Sequence, residues 1–302
     1  MEPIFLSIVT PTYNRAPLLQ NCFDSLKRQT DQDFEWIIVD DGSSDGTEEA
    51  VGNMLREEAG FPTVYVKKEN GGKHTALNAS HPYINGRYVL ILDSDDTLTE
   101  DAVETVQKGW AHYDNDENVG VLTFLRGKTK AQPLCISSFE YEPVDIMTAP
   151  RKIVFSSDCC EVIRAELFLK YPFPVYEGER FISECALWNR VSFTHKCVYV
   201  NEVIYLCEYL EGGLTKSGKP LRIRCPRGGM FTSELRMDKK NRLTQRIKYG
   251  LLYTCYGCFA GVSPGQMAKK CRAPGLTWIC MPFGWLIYRY WKKKYAKDLI
   301  EA

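Results

Sequence analysis

The stretch Tyr88–Asp96, with the sequence YVLILDSDD, decides the fold of this chain. Five consecutive apolar residues, Tyr88 to Leu92, are followed by three carboxylates and a serine. Buried parallel strands of α/β proteins have such apolar runs, and these folds bind ligands at the carboxyl ends of their strands. Asp93 and Asp95 are two residues apart, so both carboxylates can face one side, where their mutual repulsion favours a bound cation. The stretch therefore predicts a divalent metal and a phosphate ligand at this edge of the sheet.

Helix capping is the alternative role for acidic residues that follow a strand. Asp96 or Thr99 can cap the helix that we expect over Glu100–Tyr113. Three acids in four residues are more than one cap requires, so the metal interpretation is favoured for Asp93 and Asp95.

Segments typical of strands and helices alternate along the first part of the chain. The expected strands are Phe5–Thr10, Phe34–Val39, Thr63–Lys67 and Tyr88–Asp93, and the expected helices are Ala16–Gln29, one ending at Arg56, and Thr75–Ala79. This alternation predicts an α/β fold of right-handed βαβ units, with a mainly parallel central sheet and flanking helices. The pattern then loosens. We expect strands at Val119–Leu125 and Val198–Tyr209, a short strand running into a helical turn at Val162–Leu169, and a helix at Ser183–Ser192.

Charge is distributed unevenly along the chain, although the net charge is zero. Residues 1–212 hold 19 lysines and arginines against 34 acidic residues, whereas residues 213–302 hold 19 against 4. We therefore predict a catalytic domain over residues 1–212 and a basic, partly apolar helical extension over residues 213–302. The extension is expected to face an anionic partner, and we expect no nucleic acid among the partners.

The amino terminus and the cysteines both favour a cytoplasmic protein. The first residues, MEPIFLSIVTPTYNR, lack the basic start and long apolar run of a signal peptide. The twelve cysteines have no zinc-ligand spacing and are expected to be reduced thiols.

Two other strand ends carry polar motifs. Asp40 and Asp41 precede Gly-Ser-Ser-Asp-Gly, where an aspartate can accept an N–H bond from a base such as uracil. The alternative is a tight turn followed by a helix cap. Gly71, Gly72 and Lys73 allow close backbone approach and supply positive charge, which suits a diphosphate. The sequence contains no GxxxxGK[ST], so a P-loop ATPase is excluded.

A later carboxylate, Glu184, opens the segment ECALWNRVS, which has the apolar pattern of a docked helix and follows an irregular loop. A carboxylate in this place can line a pocket or can interact only with the helix dipole, and the pattern leaves both open. The four histidines are dispersed, and His74 is the one nearest the expected site.

Taken together, these motifs resemble the family-2 glycosyltransferases, which have the GT-A nucleotide-sugar fold. In chain order the motifs are PTYNR, VDDGSSDG, NGGKHTALN, LDSDD and a glutamate shortly before ALWNR. The segment EYLEGGLT at residues 208–215 resembles a bacterial polysaccharide-type subgroup. The sequence Ser157-Asp158-Cys159 departs from that subgroup, which has Gly-Asp-Lys there.

The resemblance implies roles for individual residues. A nucleotide site is implied at Thr10, Pro11, Tyr13, Asp41, Lys73, Asp93 and Ser94. Thr10, Tyr13 and Asp41 match positions near the base, and Lys73 matches a position near the diphosphate. Mg²⁺ or Mn²⁺ is implied at Asp93 and Asp95, and Glu184 matches the catalytic base of inverting members.

The function implied is transfer of a sugar, with inversion, from a nucleotide-diphosphate donor, expected to be a UDP-sugar, to a hydroxyl acceptor. The expected acceptor is a glycan or a lipid-linked precursor of a polysaccharide. A nucleotidyltransferase is one alternative, but it would carry a glycine- and arginine-rich phosphate loop where this chain has PTYNR. A non-catalytic nucleotide-sugar-binding protein is the other, and the intact carboxylates argue against it.

The extension has two apolar stretches, Leu251–Val262 and Leu276–Trp291, each interrupted by glycine. The second is too short, and too broken by Pro282 and Gly284, to be expected to span a bilayer. It is rich in Trp and Tyr and is followed by three lysines, which is typical of an element in a membrane interface above anionic lipid. The alternative is an amphipathic hairpin packed on the catalytic domain. The first alternative places the protein peripherally at the inner face of the cell membrane.

Overall fold

The computed structural model describes residues 4–145, 158–207 and 214–297. The chain divides into two compact units. The first comprises Met1–Pro172 and Val191–Glu208, and the second comprises Phe173–Arg190 and Tyr209–Ala302. The division into residues 1–212 and 213–302 stays a prediction, and the second unit contains Phe173–Arg190 in addition to the carboxyl-terminal segment.

The first unit is built, in its described part, on a nine-stranded sheet with the order β3-β2-β1-β4-β8-β6-β9-β5, and β7 pairs with β6. Its strands are β1 Leu6–Thr12, β2 Phe34–Asp40, β3 Thr63–Lys67, β4 Tyr88–Ile91, β5 Thr97–Leu98, β6 Val119–Thr129, β7 Gln132–Pro133, β8 Cys160–Arg164 and β9 Lys196–Leu206. Its helices are α1 Ala16–Lys27, α2 Thr47–Met54, α3 Lys73–Ala79, α4 Ala102–Ala111 and α5 Ala165–Lys170.

Strands β1 to β4 form the parallel half of the sheet. β1 pairs with β2 and β4, and β2 pairs with β3, all in parallel. Every residue of β1, β2 and β4 is buried, as expected for strands covered on both faces. This agrees with the alternation of strands and helices in the sequence.

The other half of the sheet is mixed. β8 is antiparallel to both β4 and β6, β9 is parallel to β6, and the short β5 is antiparallel to β9. The sequence did not indicate these directions, because the strand runs after residue 114 have no regular helical crossovers between them.

Aromatic pairs fix helices α1 and α4 on the sheet. The rings of Phe23 in α1 and Trp36 in β2 stack with their centres 5.6 Å apart. Those of Trp110 in α4 and Tyr88 in β4 stack at 4.1 Å. All four side chains are almost completely buried, so both helices are held by large apolar contacts.

A buried carboxylate joins the amino-terminal ends of β1 and β2 to the segment before β4. Glu35 in β2 accepts hydrogen bonds from the Ser7 hydroxyl at 2.6 Å and from the Asn85 backbone N–H at 2.6 Å. The N–H of Gly86, just before β4, lies 3.2 Å from the same oxygen. Three segments are thereby held in register at the end of the sheet away from the polar motifs.

The second unit is helical in its described part. Its helices are α6 Cys185–Val191, whose last residue belongs to the first unit, α7 Leu214–Arg224, α8 Pro226–Leu235, α9 Leu243–Phe259, α10 Pro264–Lys270 and α11 Pro274–Lys294. None of the helices in the described part of the chain is both long and apolar enough to cross a membrane.

Helix α11 continues through Pro282 and Gly284, which we expected to interrupt it. An interior proline removes one backbone hydrogen bond and costs about 3 kcal/mol. Packing against α9 offsets this cost, because Gly284 lies directly on the Thr254 side chain. Gly250 faces the same interface, where an added Cβ would lie 2.8 Å from the Cys280 sulfur. Glycine therefore brings the two helices close together and does not break them.

Replacing Gly284 with alanine is expected to destabilise the α9–α11 pair by about 1–3 kcal/mol, because the added methyl group overlaps Thr254. Gly275→Ala in the same helix is the matched control, because a methyl group added there would meet no described atom within 4 Å. That variant should be as stable as the parent or more stable by up to about 1 kcal/mol, because alanine favours helix. Urea unfolding followed by circular dichroism measures both, and equal midpoints for the two variants would contradict the packing assignment.

Candidate active site

The loops that follow β1 and β2 are hydrogen-bonded to each other. Asn14, in a left-handed conformation with φ of 51°, donates its backbone N–H to the Ser43 hydroxyl at 2.8 Å. Its side-chain oxygen accepts from the Ser44 N–H at 2.9 Å. Asp45 accepts the N–H of Ala16 at 3.2 Å, at the start of α1. The motifs PTYNR and DDGSSDG therefore form one connected surface.

The carboxylate of Asp41 organises the loop that follows β3. Its Oδ1 accepts from the Lys68 ammonium at 2.7 Å and the Gly71 N–H at 3.0 Å. Its Oδ2 accepts from the Gly72 N–H at 2.6 Å and the Asn70 amide at 3.2 Å. A carboxylate has about four lone-pair positions, so these donors occupy its capacity. A base N–H can bond to Asp41 only by displacing one of them.

Two glycines permit this close approach of loops. Gly42 has φ of +80°, and a Cβ built on it would lie 2.8 Å from the backbone nitrogen of Asn70. Gly72 has φ of +93° at the start of α3. Both conformations disfavour any residue with a side chain. Because the N–H groups of Gly71 and Gly72 point to Asp41, a phosphate at this loop would be bound by the lysine side chains.

The acidic turn after β4 lies beside this loop. Lys73 donates a hydrogen bond to Oδ1 of Asp93. Burial raises the pKa of the Asp93 carboxyl, but the charges of Lys73 and Arg126 outweigh it and hold the pKa below its ordinary value. Asp95 lies 3.9 Å from the Arg15 guanidinium. The side chains of Asp93 and Asp95 each remain 26% exposed, so both can reach a ligand.

This pair of carboxylates fits a metal that is shared with a diphosphate. In the described ranges no group of three or more His, Cys, Asp or Glu side chains is arranged to hold a metal alone. Mg²⁺ is commonly bound by one or two carboxylates together with substrate phosphates, and Mn²⁺ accepts the same oxygen ligands. Asp93 and Asp95 supply that donor set.

A third acid of the turn, Asp96, is buried. Burial raises the pKa of its carboxyl to about 7, although the hydrogen bond from Tyr205 favours the charged form. The neighbouring charges of Asp93 and Asp95 raise it further. Asp96 therefore belongs to the interior of the turn and does not face a ligand.

Thr10 lies near the carboxyl end of β1, and its expected contact with a nucleotide stays a prediction. It is completely buried, and its hydroxyl accepts the indole N–H of Trp36 at 2.9 Å. This position is buried because β1 is covered on both faces of the sheet. Pro11 and Ser94 are also buried, whereas Tyr13 is 47% exposed on the loop. Nucleotide contacts of these three stay predictions.

Glu184 lies in the second unit, whereas the other predicted site residues lie in the first. It is partly exposed and precedes α6, where its carbonyl accepts the Leu187 N–H at 2.8 Å. Glu179 on the same loop is buried and caps α8, because its two oxygens accept the N–H groups of Arg227 and Gly228 at 2.7 and 2.9 Å. Burial raises the pKa of Glu179.

His74 is buried at the start of α3, and within the described ranges neither ring nitrogen has a hydrogen-bond partner. Burial lowers its pKa to about 4, so the ring is neutral near pH 7. This favours a packing role for His74.

Three residues that contact the candidate site were not identified from the sequence. Lys68 bonds to Asp41, and its position at the end of β3 was an available signal. Arg126 directly follows the apolar run of β6, so a charged residue after a strand-like run was also an available signal. Tyr205 carried no signal, because it is 112 residues from the Asp93 that it contacts.

The structure describes only part of Ser157-Asp158-Cys159, which departs from the bacterial subgroup, and only part of the subgroup motif EYLEGGLT. Residues 208–213 of EYLEGGLT, and Ser157, lie outside the described residues. Cys159 is buried, with its sulfur 3.7 Å from that of Cys135.

Comparisons with known proteins concern the family and the fold. A family model described as glycosyl transferase family 2 matches residues 7–171. The glycosyltransferase GlyG of Streptococcus pneumoniae serotype 4 is 26% identical over 226 residues, which are 70% of this chain and 73% of GlyG. The GalNAc(5)-diNAcBac-PP-undecaprenol β-1,3-glucosyltransferase of Campylobacter jejuni is 33% identical over 115 residues, which are 35% of this chain and 36% of that protein.

Among solved structures, S. aureus TarS 1-349 in complex with UDP-GlcNAc superposes with a TM-score of 0.62 at 16% identity. The match covers 97% of this chain and 92% of that one. At this identity the likeness concerns the fold alone. The predicted α/β GT-A fold with a helical carboxyl-terminal region is confirmed.

Substituting Asp41 with asparagine is expected to lower the stability of the protein by about 1–3 kcal/mol, because one carboxylate oxygen becomes an NH₂ group that faces existing donors. Asn70→Ala is the control. It removes the Asn70 amide bonds to Oδ2 of Asp41 at 3.2 Å and to the Asp41 carbonyl at 2.9 Å, but it leaves the carboxylate with its other donors and should cost less. Denaturant unfolding measures both. An Asp41→Asn protein as stable as the parent would show that Asp41 does not organise this loop.

Proposed function

We propose that this chain, which belongs to glycosyl transferase family 2, transfers a hexose from a UDP-sugar to a hydroxyl group with inversion at the anomeric carbon. Membership makes it a glycosyltransferase, and a nucleotidyltransferase or a non-catalytic binder is set aside on that ground. The hydrogen bond between Lys73 and Asp93 carries the proposal. It joins the predicted diphosphate loop to the predicted metal carboxylates at one sheet edge.

The donor is proposed to bind across the ends of β1, β2 and β4. Tyr13 and Asp41 lie toward the base, Asp41 by exchanging one of its present donors for the uracil imide. Lys73 and Lys68 supply the positive charge for the diphosphate. The TarS complex with UDP-GlcNAc, which shares this fold, supports a UDP-sugar as the donor class.

Asp95, with Asp93, is proposed to hold Mg²⁺ or Mn²⁺. When bound, such an ion supplies positive charge that stabilises the departing diphosphate. Lys73 adds charge to the same leaving group and keeps Asp93 ionised by lowering its pKa.

Glu184 is proposed as the general base that takes the proton from the acceptor hydroxyl. The competing carboxylate Glu179 is committed to capping α8 through both of its oxygens. Glu177 is exposed on the same loop and is the remaining rival. Attack on the face opposite to the leaving diphosphate gives the inverted product.

The acceptor is proposed to be a glycan or a lipid-linked precursor, with the enzyme held peripherally at the inner face of the cell membrane. The undecaprenol-linked substrate in the name of the Campylobacter relative supports this class. A surface of α11 supports it independently.

Helix α11 has an exposed apolar face beside a basic end. The large exposed side chains of this face are Trp278, Ile279, Phe283, Trp285, Leu286 and Tyr290, with exposures of 48 to 68%. Most are three or four residues apart, so they share one side of the helix. Lys292, Lys293 and Lys294 follow and are exposed. Aromatic and aliphatic side chains next to lysines fit the headgroup region of an anionic bilayer. The opposite face of α11 packs on α9 within the second unit.

Replacing Glu184 with glutamine keeps the shape of the side chain and removes its basicity. Turnover with UDP-sugar and acceptor should fall about 10²- to 10⁴-fold, while UDP affinity and the unfolding midpoint stay near those of the parent. Product release measured by chromatography gives the rate.

Glu177→Gln and Glu179→Gln are the matched controls. Glu177→Gln should keep full turnover, and Glu179→Gln should lose stability through the α8 cap but keep turnover per folded molecule. If Glu184→Gln retains activity while Glu177→Gln loses it, the base is Glu177; if all three retain it, the mechanism proposed here is wrong.

Vesicle flotation tests the membrane surface. The protein should float with vesicles of anionic phospholipid, and added salt should reduce binding by screening the lysines. A Trp278→Gln, Phe283→Gln variant should lose flotation. A Leu243→Gln, Ile247→Gln variant, altered at exposed apolar residues of α9, should retain it. Equal flotation of the two variants would refute the assignment to α11.

A further inference from the structure

The hydroxyl of Tyr205 bonds to both ends of the acidic turn Asp93–Asp96. Tyr205 lies in β9 and is completely buried. Its oxygen accepts the backbone N–H of Asp93 at 3.0 Å and donates to Oδ2 of Asp96 at 2.8 Å. The turn is closed by the Asp96 N–H, which donates to the Asp93 carbonyl at 3.0 Å. One phenol therefore fixes the first and last residues of a four-residue segment.

The position of Asp93 explains why such a partner is required. The ladder between β1 and β4 ends with the Leu92 N–H, which donates to the Val9 carbonyl at 3.0 Å. The next backbone N–H, that of Asp93, lies beyond the end of the ladder and has no partner in β1. Burying this N–H without an acceptor would lower the stability of the fold by about 1–3 kcal/mol. Tyr205 supplies the acceptor. The strand after the turn, β5, pairs with β9 so that Leu98 lies opposite Tyr205. The turn is thus attached to β9 at its start and after its end.

Arg126 holds the Tyr205 ring from the other side. Its guanidinium carbon lies 4.1 Å from the ring centre, and the two residues are register partners in β6 and β9. Its Nε donates to the Cys159 carbonyl at 2.9 Å, which fixes the plane of the guanidinium. Its Nη1 lies 3.9 Å from Oδ2 of Asp96. The ring therefore has no freedom to withdraw its hydroxyl from the turn.

We propose, on the basis of the proposed function, that Tyr205 is a positioning residue that sets the directions of the Asp93 and Asp95 carboxylates for metal-dependent binding of the nucleotide. Asp95 lies between the two residues that the phenol fixes, and its own carboxylate makes only a long contact of 3.9 Å with Arg15 among the described residues. Removing the hydroxyl frees the turn but removes no charged side chain from the site. Partners that orient metal ligands commonly contribute about 10- to 100-fold to metal affinity or activity.

The test is calorimetric titration of the full chain with UDP, with and without Mn²⁺. In the parent protein Mn²⁺ should strengthen UDP binding. In Tyr205→Phe, which keeps the ring and the contact with Arg126, this Mn²⁺ enhancement should fall about 10- to 100-fold, with UDP affinity in the absence of metal unchanged. A purely structural role would weaken both titrations alike. Tyr199→Phe is the control, because it removes a hydroxyl from another buried tyrosine of β9 and should leave the enhancement intact.

The outcomes separate this inference from the proposed function. A normal Mn²⁺ enhancement in Tyr205→Phe, with Asp95→Ala abolishing it, would overturn the role of Tyr205 and leave the metal site standing. An absence of enhancement in the parent would overturn the metal role and this inference together. If Tyr205→Phe does not fold, Arg126→Lys replaces it, because lysine keeps the charge but loses the planar contact with the ring. An unchanged enhancement in Arg126→Lys would then overturn the inference.

Discussion

The parallel register of β1 with β2 and β4 is the constraint on which the candidate site depends. It brings Thr12 opposite Asp40, and it ends the β1–β4 ladder where Asp93 begins. Three loops that are far apart in sequence therefore leave the sheet at one edge. The buried Glu35 stabilises this register at the other end of the sheet by joining the starts of β1 and β2 to the segment before β4.

Carboxylates at that edge differ in whether they bind groups of the protein or remain accessible to a ligand. Asp41 and Asp96 are buried and bind the protein's own donors, whereas Asp93 and Asp95 keep part of their surface in solvent. The same division occurs in the second unit, where Glu179 caps a helix and Glu184 is partly exposed. Burial and the existing hydrogen bonds distinguish the two kinds of carboxylate, and the residue type alone does not.

The strand-end motifs were accessible from the sequence because they depend on local patterns. The alternation of strands and helices predicted the parallel half of the sheet. The polar residues at the strand ends predicted a site at its carboxyl edge, which stays a prediction. The role of Thr10 came from the family motif alone, and the burial of its side chain could not be foreseen, because a fully buried strand gives no alternation to read. Tyr205 could not be found, since its role arises from the pairing of β9 with β5. The continuity of α11 through Pro282 depends likewise on packing with α9, which a single segment does not reveal.

The saturated carboxylate of Asp41 has a further consequence for the thermodynamics of ligand binding. Its hydrogen bonds to Lys68, Gly71 and Gly72 give the loop after β3 a defined conformation in the protein alone. Fixing the backbone of one residue costs about 1–2 kcal/mol of conformational entropy, and glycine has the most freedom to lose. In this protein that entropy is lost during folding and not during association with a ligand. The loop is pre-organised, so a larger part of the interaction energy with a phosphate remains as affinity.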